Sequence, residues 1–107
     1  MLKKEDLPIC PVATTVQLMG NKWKLLILRN LLVKPYRFNE LKRSVPGISQ
    51  KVLTDNLRTM EKERIITRTV FTEVPQRVEY KLTEIGESMR PIIKEMEIWG
   101  NYYKSIY

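Results

Sequence analysis

The chain has 107 residues, a net charge of +7, one cysteine and no histidine. That length suits one compact domain with a single core, and a lone thiol without histidine excludes both an intramolecular disulfide framework and an ordinary zinc site within one chain. The same absence removes the commonest general base, and most carboxylates lie among basic residues, so no catalytic residue, metal or cofactor is expected and the chain does not read as an enzyme.

The first helical pattern covers residues 12–19, with Val12, Val16 and Met19 on one face. Gly20 can stop it, and Asn21 can cap the next helix by accepting a bond from a free N–H of its first turn. That helix, residues 22–32, is the most apolar stretch: Trp23, Leu26, Ile27 and Leu31 share a face that Leu25, Leu28 and Leu32 widen. It is the expected central core helix, and Pro35 lies just beyond its end. A short helix over 38–44 turns Phe38 and Leu41 inward, with Val45 just after, and Pro46-Gly47-Ile48 marks a tight turn. Ser49 is a strong N-cap for a helix over 50–63, whose narrow apolar stripe is Leu53, Leu57 and Met60. The stripe leaves Lys51, Thr54, Asp55, Arg58 and Lys62 toward the opposite face.

The period then changes from 3.6 to 2. Residues 66–71 and 77–82 alternate as two strands joined by the loop 72–76. Thr83 caps a short helical turn through Gly86, and Pro91 can open the last helix as its first residue. Ile92, Met96, Trp99 and Tyr103 give that helix an apolar face. The expected fold is therefore α+β and mostly helical, a winged helix-turn-helix with a two-stranded β-hairpin wing and terminal dimerisation helices. Within a single domain 1–107, the helix-turn-helix occupies about 38–63, the wing about 66–82, and the dimerisation segments about 9–20 and 91–107.

The charge is concentrated in the middle of this order. Residues 22–81 hold 14 Lys/Arg against 6 Asp/Glu, whereas the two flanks together hold 5 against 6. A localised basic face is the footprint of a polyanionic partner. The second helix of a helix-turn-helix enters the major groove of duplex DNA. Its solvent face here offers Lys51 and Arg58 as donors, Thr54 as donor or acceptor, and Gln50 near the N-terminus as a partner for adenine. Asp55 either accepts from a cytosine amine or pairs with Lys51 or Arg58 one turn away, and both roles stay open. Arg77 opens the return strand of the hairpin, read as the base of the wing, in reach of phosphates or a minor groove. Arg37 and Ser49, ahead of the two helices of the motif, complete the candidate DNA-contacting set. The alternative to a DNA-binding regulator is a winged helix used as a protein-interaction module in a larger complex.

The terminal segments carry more apolar groups than one small domain covers, which marks an interface. Val12, Val16, Ile92, Met96, Trp99 and Tyr103 are its candidate residues, with a second copy of the chain as partner. No apolar run reaches the ~18 residues of a membrane span, and residues 1–6 are polar without a signal-peptide h-region. A cytoplasmic protein with no membrane partner is expected.

Several motifs are familiar in this order. Cys10-Pro11-Val12, Gly20-Asn21-Lys22-Trp23-Lys24-Leu25-Leu26-Ile27-Leu28, Arg37-Phe38-Asn39-Glu40-Leu41, and Pro46-Gly47-Ile48-Ser49-Gln50-Lys51-Val52-Leu53-Thr54 open the series. Glu73-Val74-Pro75-Gln76-Arg77-Val78-Glu79-Tyr80, Leu82-Thr83-Glu84-Ile85-Gly86 and Trp99-Gly100 complete it. Over about residues 9–103 the chain resembles the HxlR family of bacterial winged helix regulators, related to the multiple-antibiotic-resistance type. The resemblance implies a homodimer joined through terminal helices and a pseudo-palindromic operator on double-stranded DNA. It also implies a redox-sensor role for Cys10, since some members sense oxidants or electrophiles at that position. Cys10 also lies just before a helix start, where a helix dipole favours a thiolate; the bland alternative is a small apolar filler. A small-molecule or oxidant effector is left unidentified. Many relatives carry a glycine where this chain has Arg64 after Glu63, so a different shape is expected at the end of the recognition helix.

Overall fold

The computed structural model describes residues 3–107; Met1 and Leu2, the first two residues of the expected domain, lie outside them. A single 3-10 turn, Lys4–Asp6, precedes the first α-helix. Helix α1, Pro11–Met19, begins on a proline whose missing N–H has no intrahelical partner to lose, and ends at Gly20. Gly20 takes φ 68°, a left-handed conformation that favours glycine, while its N–H bonds the Val16 carbonyl at 2.8 Å. Asn21 then opens helix α2, Lys22–Leu31, its Oδ1 accepting from the Lys24 N–H at 3.0 Å. Ile27, Leu28 and Leu31 of α2 are buried at the centre of the core.

After α2 the chain forms a two-residue strand β1, Tyr36–Arg37, and the short helix α3, Phe38–Ser44. A turn follows, with Gly47 at φ 83°. Ser49 caps helix α4, Gln50–Lys62, its Oγ accepting from the Val52 N–H at 3.1 Å. The expected stripe of Leu53, Leu57 and Met60 is buried against the core, with Leu41, Val45 and Ile48 beside it.

Helix α4 ends as a glycine-terminated helix does, without the glycine. Arg64 adopts φ 62°, its N–H bonds the Glu61 carbonyl at 3.1 Å, and the Ile65 N–H reaches back to the Met60 carbonyl at 2.9 Å. These are the two bonds of a Schellman motif, and Ile65 and Met60 are both buried as its hydrophobic contact requires. The shape expected to differ is thus a standard left-handed cap, held in spite of the Cβ penalty. Arg64→Gly and Arg64→Ala both delete the side chain and differ in that penalty. Thermal unfolding is expected to show the glycine variant more stable by about 1 kcal/mol.

Strands β2, Ile66–Phe71, and β3, Arg77–Leu82, form the expected hairpin, in a register running from Ile66 opposite Leu82 to Phe71 opposite Arg77. A third strand joins the hairpin, giving the sheet order β1-β3-β2, because Tyr36 and Arg37 pair antiparallel with Tyr80 and Glu79. This third strand ties the start of α3 to the wing. Thr83 caps the short helix α5, Glu84–Glu87, accepting from the Gly86 N–H at 3.1 Å. Helix α6, Arg90–Ser105, carries Pro91 as its second residue rather than its first. Arg90 donates to the Leu32 carbonyl at 2.9 Å and to Glu87 at 2.7 Å. The last helix is thereby joined to the C-terminal end of α2, where a cation also suits the helix dipole.

Candidate nucleic-acid interface

Burying Leu53, Leu57 and Met60 fixes which face of α4 meets solvent. Gln50, Lys51, Asp55 and Arg58 are exposed, whereas Thr54 is half-buried at the margin. Arg58 is exposed on this face, one turn from Asp55. Ser49 is exposed, but its hydroxyl already serves the helix cap.

Lys51 and Asp55, left open by the sequence, meet each other: Nζ lies 2.8 Å from Oδ2, one turn apart. The hydrogen bond from Lys51 holds the Asp55 carboxyl below its usual range, with the Lys51 and Arg58 charges adding to the effect. At neutral pH this face therefore carries an ionised carboxylate already paired with Lys51. Asp55→Asn is expected to release Lys51 and steepen the salt dependence of DNA affinity by up to about one counterion. The thermal midpoint should barely move, because exposed ion pairs contribute little to stability. Anisotropy titrations across salt concentrations, with a melting curve, check both parts.

The wing contributes less freely than expected. Arg77 pairs with Phe71 in the rung that closes the hairpin, next to the loop, so it lies at the tip side and not at the base. Its guanidinium sits 4.1 Å over the Phe71 ring and 3.3 Å from Glu73, and its Nε is buried without a partner. Arg77 is half-buried and engaged, a positive charge fixed by stacking rather than a mobile side chain.

Arg37 is the residue before α3, exposed, with its N–H bonded to Glu40 at 2.9 Å. That bond, followed by one from Lys34, holds the Glu40 carboxyl below its usual range. Lys34, Arg37, Arg43 and Arg77 border one groove between α3 and the wing. Arg68 of β2 borders a second groove with Thr54 and Arg58. Neither Arg43 nor Arg68 stood out in the sequence, because only the pairing of β1 with β3 and the packing of β2 beside α4 bring them to this face.

The predicted interface residues lie on α1 and α6, outside the helix-turn-helix and the wing. No residue of α1 or of α6 is buried in one chain. Val12 and Val16 are exposed on α1, and Ile92, Met96, Trp99 and Tyr103 on α6. Trp99 stacks on Tyr103 with ring centroids 5.3 Å apart, and the Tyr103 and Tyr107 hydroxyls are 2.7 Å apart. That bond pushes the Tyr103 hydroxyl above its usual range. Cys10 is the exposed N-cap residue of α1, two positions before Val12. No helix among the described residues is long and apolar enough to cross a membrane.

A short helix, a tight turn and a longer helix with an exposed polar face, followed at once by an antiparallel hairpin, define a winged helix-turn-helix regulator of transcription. The model of the HxlR-like helix-turn-helix family matches residues 18–106, and the chain belongs to that family. It is 43% identical over 100 residues to the helix-turn-helix-type transcriptional regulator YdeP of Bacillus subtilis (strain 168), spanning 94% of this chain and 78% of YdeP. The redox regulator HypR in its reduced form has a similar structure, with a TM-score of 0.86 and 38% identity over 91% of this chain and 96% of that one. Diamide-treated YodB from B. subtilis is also similar, with a TM-score of 0.74 and 35% identity over 89% and 95% of the two chains.

Proposed function

We propose that this regulator is a cytoplasmic homodimer that binds double-stranded DNA sequence-specifically at a pseudo-palindromic operator. One observation carries the reading: α4 buries Leu53, Leu57 and Met60 and leaves Gln50, Lys51 and Arg58 exposed on a helix followed directly by a wing. Gln50 and Arg58 read base edges in the major groove. Lys51, Arg37 and the fixed charge of Arg77 engage the sugar-phosphate backbone. Thr54 and Ser49 flank the contact. The uncovered apolar faces of α1 and α6 meet their copies across a two-fold axis, setting the two recognition helices one DNA turn, about 34–36 Å, apart.

A salt-dependent gel shift on genomic duplex fragments tests this reading. Sequence-selective binding that weakens by about 10³–10⁵ between 50 and 200 mM salt is expected for roughly 6–10 phosphate contacts. Weak binding indifferent to sequence would favour a protein-interaction module instead.

Cys10 is proposed as the responsive group. It is exposed at the edge of the α1 apolar face, and the similar structures include a redox regulator and a diamide-treated protein. In this chain the simplest product joins two copies: diamide takes up two electrons and two protons from two Cys10 thiols, leaving one intersubunit disulfide. DNA release by diamide is expected in the parent and absent in Cys10→Ser; equal release by both would remove the idea.

A further inference from the structure

Two polar links cross the packing between α2 and α4. Lys24 is 6% exposed, and its Nζ lies 2.6 Å from Oε1 of Glu63, the residue that ends α4. Asn56, also buried, accepts from Asn21 Nδ2 at 3.3 Å and donates to the Val52 carbonyl at 2.7 Å. Both partners on the α2 side lie in the few residues that begin that helix, and Asn21 is at the same time its cap. The Lys24 stem runs close over Gly20, where an added Cβ would come within 2.7 Å of its Cδ.

Asn56 and Glu63 are seven residues apart, so they form a row about 20° wide along one flank of α4. The apolar stripe beside them is narrow and its contacts are non-directional, so by itself it tolerates a roll of the helix. A roll of about 15° moves a side-chain tip about 6 Å from the axis by roughly 1.5 Å. Such a shift exceeds the distance range of a good hydrogen bond. Hydrogen bonds on one flank oppose that roll, and they are directional. Stability alone is a poor explanation for the pair, since buried ion pairs are often replaced by apolar residues without loss.

We infer that Lys24, Glu63, Asn21 and Asn56 are positioning residues that fix the rotation of the recognition helix, and so determine base selectivity without touching DNA. The inference rests on the DNA-binding reading above. It is tested with the charge-neutral pair Lys24→Met/Glu63→Leu and, separately, with Asn56→Leu. Each is titrated with the duplex that the parent selects and with a random-sequence duplex of the same length, alongside a melting curve.

The expected result is a folded protein whose affinity for the selected duplex falls about tenfold or more, while affinity for the random duplex and the salt slope stay as in the parent. An unchanged ratio of the two affinities in the folded variants would overturn the inference. Unfolding of one variant leaves the other to decide. Unfolding of both would overturn it too, since the network would then hold the fold rather than the angle. A parent that itself prefers no duplex would refute the DNA-binding reading first, and the inference with it.

Discussion

Trp99→Glu is expected to turn a dimer into a monomer and to lower operator affinity by about 10²–10⁴, the range by which a linked pair of sites exceeds one alone. The physical reason is the stranded apolar face of α6. Trp99 is 62% exposed within one chain, continuing the row of Ile92 and Met96 and stacked on Tyr103. A monomer has no core contact to lose at that position, so its own unfolding should change by no more than about 0.5 kcal/mol. The carboxylate instead enters a surface proposed to be covered by its copy, where an unpaired charge is strongly unfavourable. Sedimentation velocity at micromolar concentration and an operator titration read the two effects separately. A dimer that survived the substitution would place the interface elsewhere.

The second large effect falls on the fold. Gly86→Ala is expected to destabilise the protein by about 3 kcal/mol and to lower its thermal midpoint by at least roughly 12 °C. A Cβ at Gly86 would stand 2.4 Å from the Ile65 carbonyl oxygen and 2.9 Å from Leu82 Cδ2. The carbonyl cannot move aside, because it accepts the Thr83 N–H at 3.0 Å and the Thr83 hydroxyl at 3.1 Å. These bonds hold the end of α4, the start of the wing and α5 together, so relief of the clash has to open that junction. Differential scanning calorimetry checks the loss; a midpoint within a few degrees of the parent would show that α5 yields easily.

The parts of this fold that the sequence displays are those set by local chemistry. Asn21, Ser49 and Thr83 announce helix starts because each side chain supplies an acceptor for an orphan N–H, and all three make that bond. The two strands of the hairpin are legible from their change of period to two, and their ends fall at residues 66–71 and 77–82 as expected. What stays hidden is set by distant pairing. Tyr36–Arg37 is too short to show any period and is a strand only because Glu79 and Tyr80 lie alongside.

Lys24, Asn56 and Glu63 look like ordinary solvated residues in the sequence. The burial of Lys24 and Asn56 and the pairing of Glu63 depend on how α2 crosses α4, which no single segment reveals. Arg77 is visible as a basic residue, but its stacking on Phe71 and its pairing with Glu73 are not. Arg64 shows the reverse case. The residue type argues against a left-handed cap, and the buried Met60 and Ile65 on either side impose it.

Selection of duplexes from a random-sequence pool, with affinities measured across salt concentrations, tests the central claim most directly. The account predicts enrichment of one sequence with two-fold symmetry, its half-sites centred about 10 base pairs apart, bound at least about 10³-fold more tightly than random duplex. Enrichment of no sequence, or of a single asymmetric site bound by a monomer, would contradict it.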